Sequence, residues 1–201
     1  MSKLLLSTMA IGKKLQGENS HVTIGLTNPK SPSNVGAVMR AAGCYCVEQV
    51  LYTGQRYANA AKFNGAKHST DTKNARDKIP LKPTEEFENI ESLRTFLPDN
   101  TKIICVDLVE GAIPLPHFNH PEKAVYIFGP EDGTISQSMI NTADDVVYVP
   151  TVGCMNLAAS VNVLLYDRLA KALVNNKQIQ SDNTLIRKSR DTNNKVKVKR
   201  G

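Results

Sequence analysis

The sequence predicts an α/β fold, a mostly parallel sheet with helices on both faces. Two patterns carry that prediction: strand-like and helix-like segments alternate along the chain, and the strand candidates are short continuous apolar runs. A sheet with one wet face would instead show polar–apolar alternation. A third observation locates a site on this frame. Asn34–Arg40, Phe128–Gly133 and Pro150–Leu157 each fall where a strand gives way to a turn or helix, the edge at which open α/β sheets hold ligands.

In chain order, Val22–Leu26 reads as a buried strand, and a polar loop with Pro29 and Pro32 follows. Asn34 is a good N-cap residue for a helix over Val35–Gly43. Gln49–Thr53 is the second strand. The polar, basic stretch Gly54–Pro83 offers little periodicity beyond a short helix near Ala58–Phe63. Thr84–Leu97 carries Phe87, Ile90, Leu93 and Phe96 at helical spacing, acids in its first turn and Pro98 behind it. Strands follow at Lys102–Leu108 and Ala124–Phe128, then a helix at Ser136–Thr142 and a strand at Asp145–Val149. A long helix runs from Met155 to about Asn175. The expected organisation is an extension at 1–20, one domain at 21–175, and a disordered basic tail at 176–201, rich in Asn, Gln, Ser, Lys and Arg.

Of 201 residues 41% are hydrophobic, enough for a core, while 5% aromatic content without Trp means that aliphatic side chains fill it. The net charge of +6 favours acidic partners, nucleic acid ahead of membrane, with the tail contributing part of the surplus. Four cysteines, two of them separated by a single residue, suit reduced thiols of a cytoplasmic protein better than a disulfide scaffold or zinc site. No run reaches the roughly 18 apolar residues of a membrane span. The basic N-terminal stretch lacks a cleavage pattern and reads as an extension packing on the domain.

The three segments contain one Arg, a Glu–Asp pair, two Asn and several Gly, with no His and no metal-ligand set. That composition grips and orients. Gly36, Arg40 and Gly43 share a helix face, leaving room for a phosphate that a guanidinium could fork. Taken alone, the same segment fits a helix packed tightly on the sheet with Arg40 in a surface ion pair. Glu131 and Asp132 stand in a turn shaped by Gly129, Pro130 and Gly133, which is neither a Walker loop nor a Gly-x-Gly-x-x-Gly turn. That turn could equally be an acidic cap on the next helix. The third segment could wrap an adenine ring with backbone groups, or simply connect strand to helix with Asn156 as the cap.

Asn34-x-Gly36-x-x-x-Arg40-x-x-Gly43, then Phe128-Gly-x-Glu131-x-Gly133, then Pro150 with Cys-Met-Asn-Leu157, resemble in order the three motifs of the TrmH-type RNA ribose 2′-O-methyltransferases of the SPOUT superfamily, over about His21–Leu169. The resemblance implies a C-terminal trefoil knot, bent S-adenosylmethionine (AdoMet) bound within it, and a homodimer whose sites borrow from the partner. It assigns Gly129, Val149 and Met155 to the cofactor, with Leu108 added. Arg40 is implied as the catalytic arginine, with Asn34, Glu131 and Asn156 organising the site. Where that family's third motif usually reads Ser-Leu-Asn, this chain has Cys154-Met155-Asn156, and a thiol is the weaker hydrogen-bond partner. The implied activity is methyl transfer to a ribose 2′-hydroxyl, in tRNA ahead of rRNA because no long RNA-binding domain is appended. The alternatives are a noncatalytic RNA-binding protein on the same fold and an enzyme for a small nucleotide.

Overall fold

The computed structural model describes residues 17, 19–63, 79–84, 90–176, 183–190 and 193–198. The expected N-terminal extension, the middle of the basic stretch Gly54–Pro83, the first turn of the helix expected from Thr84, and much of the basic tail lie outside these residues. Seven strands form one sheet: β1 His21–Leu26, β2 Gln49–Tyr52, β3 Leu81–Pro83, β4 Lys102–Val106, β5 Ile113–Pro114, β6 Lys123–Phe128 and β7 Asp145–Tyr148. Their order is β3-β2-β1-β6-β4-β7-β5, and every pairing is parallel. Six helices are described: α1 Pro32–Cys44, α2 Arg56–Phe63, α3 Ile90–Phe96, α4 Gln137–Thr142, α5 Leu157–Asn176 and α6 Thr184–Ser189.

Both faces of the sheet are covered. Ile24, Ile104 and Tyr126 point to a core shared with Val35, Val38 and Met39 of α1 and Val161, Leu164 and Leu165 of α5. Their chain neighbours Ile103, Cys105, Val125 and Ile127 point the other way, against Leu93 of α3 and Met139 of α4. Ile103, Ile104, Val125 and Tyr126 are all fully buried, which is why these strands read as unbroken apolar runs.

Helix α1 begins three residues earlier than the sequence predicts. Pro32, with its fixed φ, takes the first turn, and Ser31 is the N-cap, its Oγ accepting from the Asn34 amide at 3.3 Å. Asn34 is therefore not the cap, and its side chain is left for other partners. Helix α5 begins at Leu157, two residues later than expected, because Asn156 caps it by accepting from the Ala159 amide at 3.1 Å. The short strands β3 and β5 sit at the two sheet edges and escape sequence reading. Strands β2 and β7 each stop one residue short of expectation.

A buried polar network ties α5 to the chain between β5 and β6. Arg168, 6% exposed, donates to the Pro121 and Glu122 carbonyls, the Tyr126 hydroxyl and Ser20 Oγ. His120 lies between the Tyr126 hydroxyl at 2.7 Å and Asp167 at 2.9 Å. Lys171 donates to the Leu115 and Phe118 carbonyls and pairs with Asp167. No helix among the described residues is long and apolar enough to cross a membrane.

Candidate active site

The carboxyl ends of β4, β6 and β7 lie side by side, so the loops that follow them meet. After β6, Gly129 passes so close to β4 that an added Cβ would stand 3.2 Å from Asp107 Oδ2 and 3.4 Å from the Ile135 amide nitrogen. That close approach explains the glycine. The turn then presents Glu131, whose Oε2 accepts from the Lys30 amide at 2.8 Å. Its Oε1 accepts from the Ser31 amide at 3.1 Å and from Asn34 Nδ2 at 3.2 Å. Asn34 Oδ1 in turn accepts from Asn156 Nδ2 at 2.9 Å. Each amide orientation follows from its neighbours: Asn156 Oδ1 serves the α5 amide and Glu131 can only accept, so the hydrogen-bond direction runs one way along the chain.

Glu131, Asn34 and Asn156 thus join all three sequence segments in one polar chain. Burial pushes the Glu131 carboxyl up, but the amides of Lys30, Glu131 itself and Ser31, with the Asn34 side chain, outweigh it and hold the acid below its ordinary value. Asp132 forms a two-pronged pair with Arg56, at 2.9 and 2.8 Å, and reaches Lys30 Nζ at 3.4 Å. The Arg56 hydrogen bonds hold Asp132 below the usual carboxylate range. The pair is exposed and serves to aim the turn.

Between the three loops lies an open cleft of about 720 Å³, its mouth included. Leu108, Gly129, Val149 and Met155, all singled out in the sequence, line it together with Glu131 and Cys154. Asp107 also lines it, although the sequence reading passes over it as the end of an apolar run. The lining holds two carboxylates, Asp107 and Glu131, and no Lys, Arg or His. Leu108 keeps 51% of its surface exposed at the mouth.

Arg40 is placed elsewhere. It is exposed on α1, a turn and a half beyond Asn34, and is not among the residues lining the cleft. Gly36 is buried beside it and Gly43 half-buried. The cysteines are free: Cys44 and Cys154 are exposed and Cys46 half-buried. Cys105 is enclosed, and burial with the nearby Asp107 charge pushes it up to about 12, which leaves it unreactive. Among the described residues no group of three or more His, Cys, Asp and Glu could hold a metal ion.

The fold has solved counterparts. The SpoU methyltransferase AviRb from Streptomyces viridochromogenes, in complex with the cofactor AdoMet, superposes with a TM-score of 0.61 at 17% identity. That match covers 77% of this chain and 58% of AviRb, so the chain spans less than two thirds of that relative. The A. aeolicus TrmH/SpoU tRNA modifying enzyme gives a TM-score of 0.64 at 14% identity over 87% of this chain and 86% of the other. A structure solved for the 2-OH methylation of C/U34 on tRNA gives 0.62 at 17% identity over 78% and 99%. No curated protein sequence matches the chain. A model of the SpoU rRNA Methylase family matches residues 21–166. That span takes in β1 through the first half of α5 and all three loops of the cleft, and the chain belongs to the SpoU rRNA methylase family.

Proposed function

We propose that the protein is an AdoMet-dependent RNA methyltransferase that methylates a ribose 2′-hydroxyl, with tRNA as the favoured substrate, and that it works as a homodimer. One observation carries the cofactor reading: the cleft offers two carboxylates and no cationic side chain, between the apolar walls Leu108, Val149 and Met155. A phosphate-bearing nucleotide would be repelled there. AdoMet carries a sulfonium and an ammonium against one carboxylate and has no phosphate, so its net charge suits this lining, and its adenine suits the apolar walls. When bound, it supplies an electrophilic methyl group.

The chain's own residues then position the acceptor. Gly129, Val149, Met155 and Leu108 hold the cofactor. Glu131, by fixing Asn34 and through it Asn156, keeps the rim beside the cleft in one arrangement. Arg40 clamps a substrate phosphate, so that the 2′-oxygen proton passes to phosphate or water; arginine itself is a poor base. Arg40 is exposed and does not line its own chain's cleft, and in the dimer we assign it to the partner's cleft. Support for that dimer comes from α5, where Ala159, Val163 and Tyr166 are exposed at helical spacing, with Tyr166 62% exposed. These residues lie on the helix that packs on α1.

The test is transfer of labelled methyl from AdoMet to tRNA and, separately, rRNA, with the Arg40→Ala protein in parallel. Label in a nuclease-resistant dinucleotide from tRNA, lost in the variant while cofactor still binds, is the expected outcome. Label in rRNA alone moves the substrate assignment. Cofactor binding without label in either RNA favours another acceptor.

A further inference from the structure

We propose that Asp107 is a positioning residue that sets the cleft's grip on its cofactor by bracing the loops after β4 and β6 against each other. The inference rests on the AdoMet reading of the cleft. Asp107 extends β4 by one residue, its amide donating to the Val147 carbonyl of β7 at 3.0 Å. Its Oδ1 accepts from the Leu108 amide at 2.8 Å. Its Oδ2 accepts from Thr134 Oγ1 at 2.7 Å and from the Ile135 amide at 3.0 Å. A carboxylate has about four acceptor positions, and three are engaged in joining the two walls.

The bracing matters because packing cannot replace it. Leu108 is half exposed and Thr134 is exposed, so neither is wedged in place by neighbours. What sets the Leu108 backbone is a tight turn in which Asp107 accepts twice, at Oδ1 from Leu108 and at its carbonyl from the Val109 amide at 3.1 Å. Across the cleft, the same carboxylate stands against Gly129, where the gap is too small for a methyl group without displacement. A shift of Asp107 therefore moves two walls of the ligand site at once.

Asp107→Asn keeps the shape and replaces one acceptor oxygen by a donor. Whichever way the amide turns, its NH₂ faces a backbone N–H, that of Leu108 or of Ile135. Thr134→Val removes one donor and leaves both backbone bonds. The experiment is calorimetric titration of the full chain with AdoMet and with S-adenosylhomocysteine, alongside thermal unfolding of the unliganded proteins and steady-state kinetics on tRNA. We expect affinity to fall about 10- to 100-fold in Asp107→Asn and about 2- to 5-fold in Thr134→Val. KM for AdoMet should rise in step, while the KM for tRNA stays put. A strut that served stability alone would lower the unfolding temperature and leave the cofactor affinity of the folded fraction unchanged, which would overturn the proposal. Should Asp107→Asn not fold, the affinity of Thr134→Val decides, and wild-type affinity there refutes the bracing. If the folded wild type binds neither ligand, the cofactor reading itself falls, a result distinct from wild-type-like binding by the variants.

Discussion

Glu131 takes the Lys30 and Ser31 amides and the Asn34 side chain on one carboxylate, and those donors favour its ionised form against the opposing effect of burial. With its folded value below the unfolded one, the contribution to stability is fully present above the ordinary glutamate value, about 4.3, and is lost as pH falls through the folded value. Glu131→Gln brings an NH₂ donor up against these donors and loosens the hold on Asn34, and through it on Asn156. We expect methyl transfer to fall about tenfold or more, on the scale of a lost charge-assisted hydrogen bond, with cofactor affinity little changed. Calorimetry beside the labelled-methyl assay checks this, and an equal loss in both would assign Glu131 to the cofactor instead. Arg40 shows the limit of reading one residue from spacing. Its helix face is legible, but which site it serves depends on what α1 packs against.

At the scale of elements, α5 is held by a charge network that favours the neutral form of His120. Arg168 donates to the Tyr126 hydroxyl, which is then free to donate to His120 Nδ1, while Nε2–H goes to Asp167. The ring is therefore neutral. Burial lowers its pKa most, the Asp167 hydrogen bond works against that, and Arg168 and Lys171 lower it further, to about 4. The unfolded chain binds this proton near 6.5, so stability is full above that pH and declines between about 6.5 and 4. The whole decline from this group amounts to about 3 kcal/mol. Urea unfolding across this range checks it; in His120→Gln the slope should flatten, at the cost of lower stability at neutral pH. The helix starts belong to the same scale. Ser31 and Pro32 open α1 and so release Asn34 to the site, a consequence of local capping chemistry that an Asn-as-cap reading misses.

For the whole molecule, the exposed Val163 and Tyr166 on α5 and the exposed Arg40 on α1 belong to one proposal, a dimer in which each α1 serves the other chain's cleft. Tyr166→Glu should give a monomer by light scattering and lose methyl transfer by about tenfold or more, because a buried unpaired charge opposes association. A dimeric, active Tyr166→Glu protein would remove this face from the interface. Residues Arg187, Arg190, Lys195 and Lys197 of the C-terminal segment leave a basic stretch available for a phosphate backbone.

The sequence by itself determined the class of fold and singled out the loops that meet around the candidate cleft. Val22–Leu26, Ile103–Val106 and Ala124–Phe128 are buried on both faces because helices cover both, and their largely apolar composition records it directly. The loops after strands likewise announce themselves through Gly, Pro and Asn. Edge strands β3 and β5, of three and two residues, do not, since their pairing is supplied by β2 and β7. Only the tertiary structure decided which polar groups meet. Asn34 reaches Glu131 across 97 residues and Asn156 across 122, and Asp107 joins Thr134 across 27. Those contacts depend on the order in which the sheet places β1, β6, β4 and β7. Strand order is a property of the packed whole, whereas periodicity reports only a segment's own surroundings.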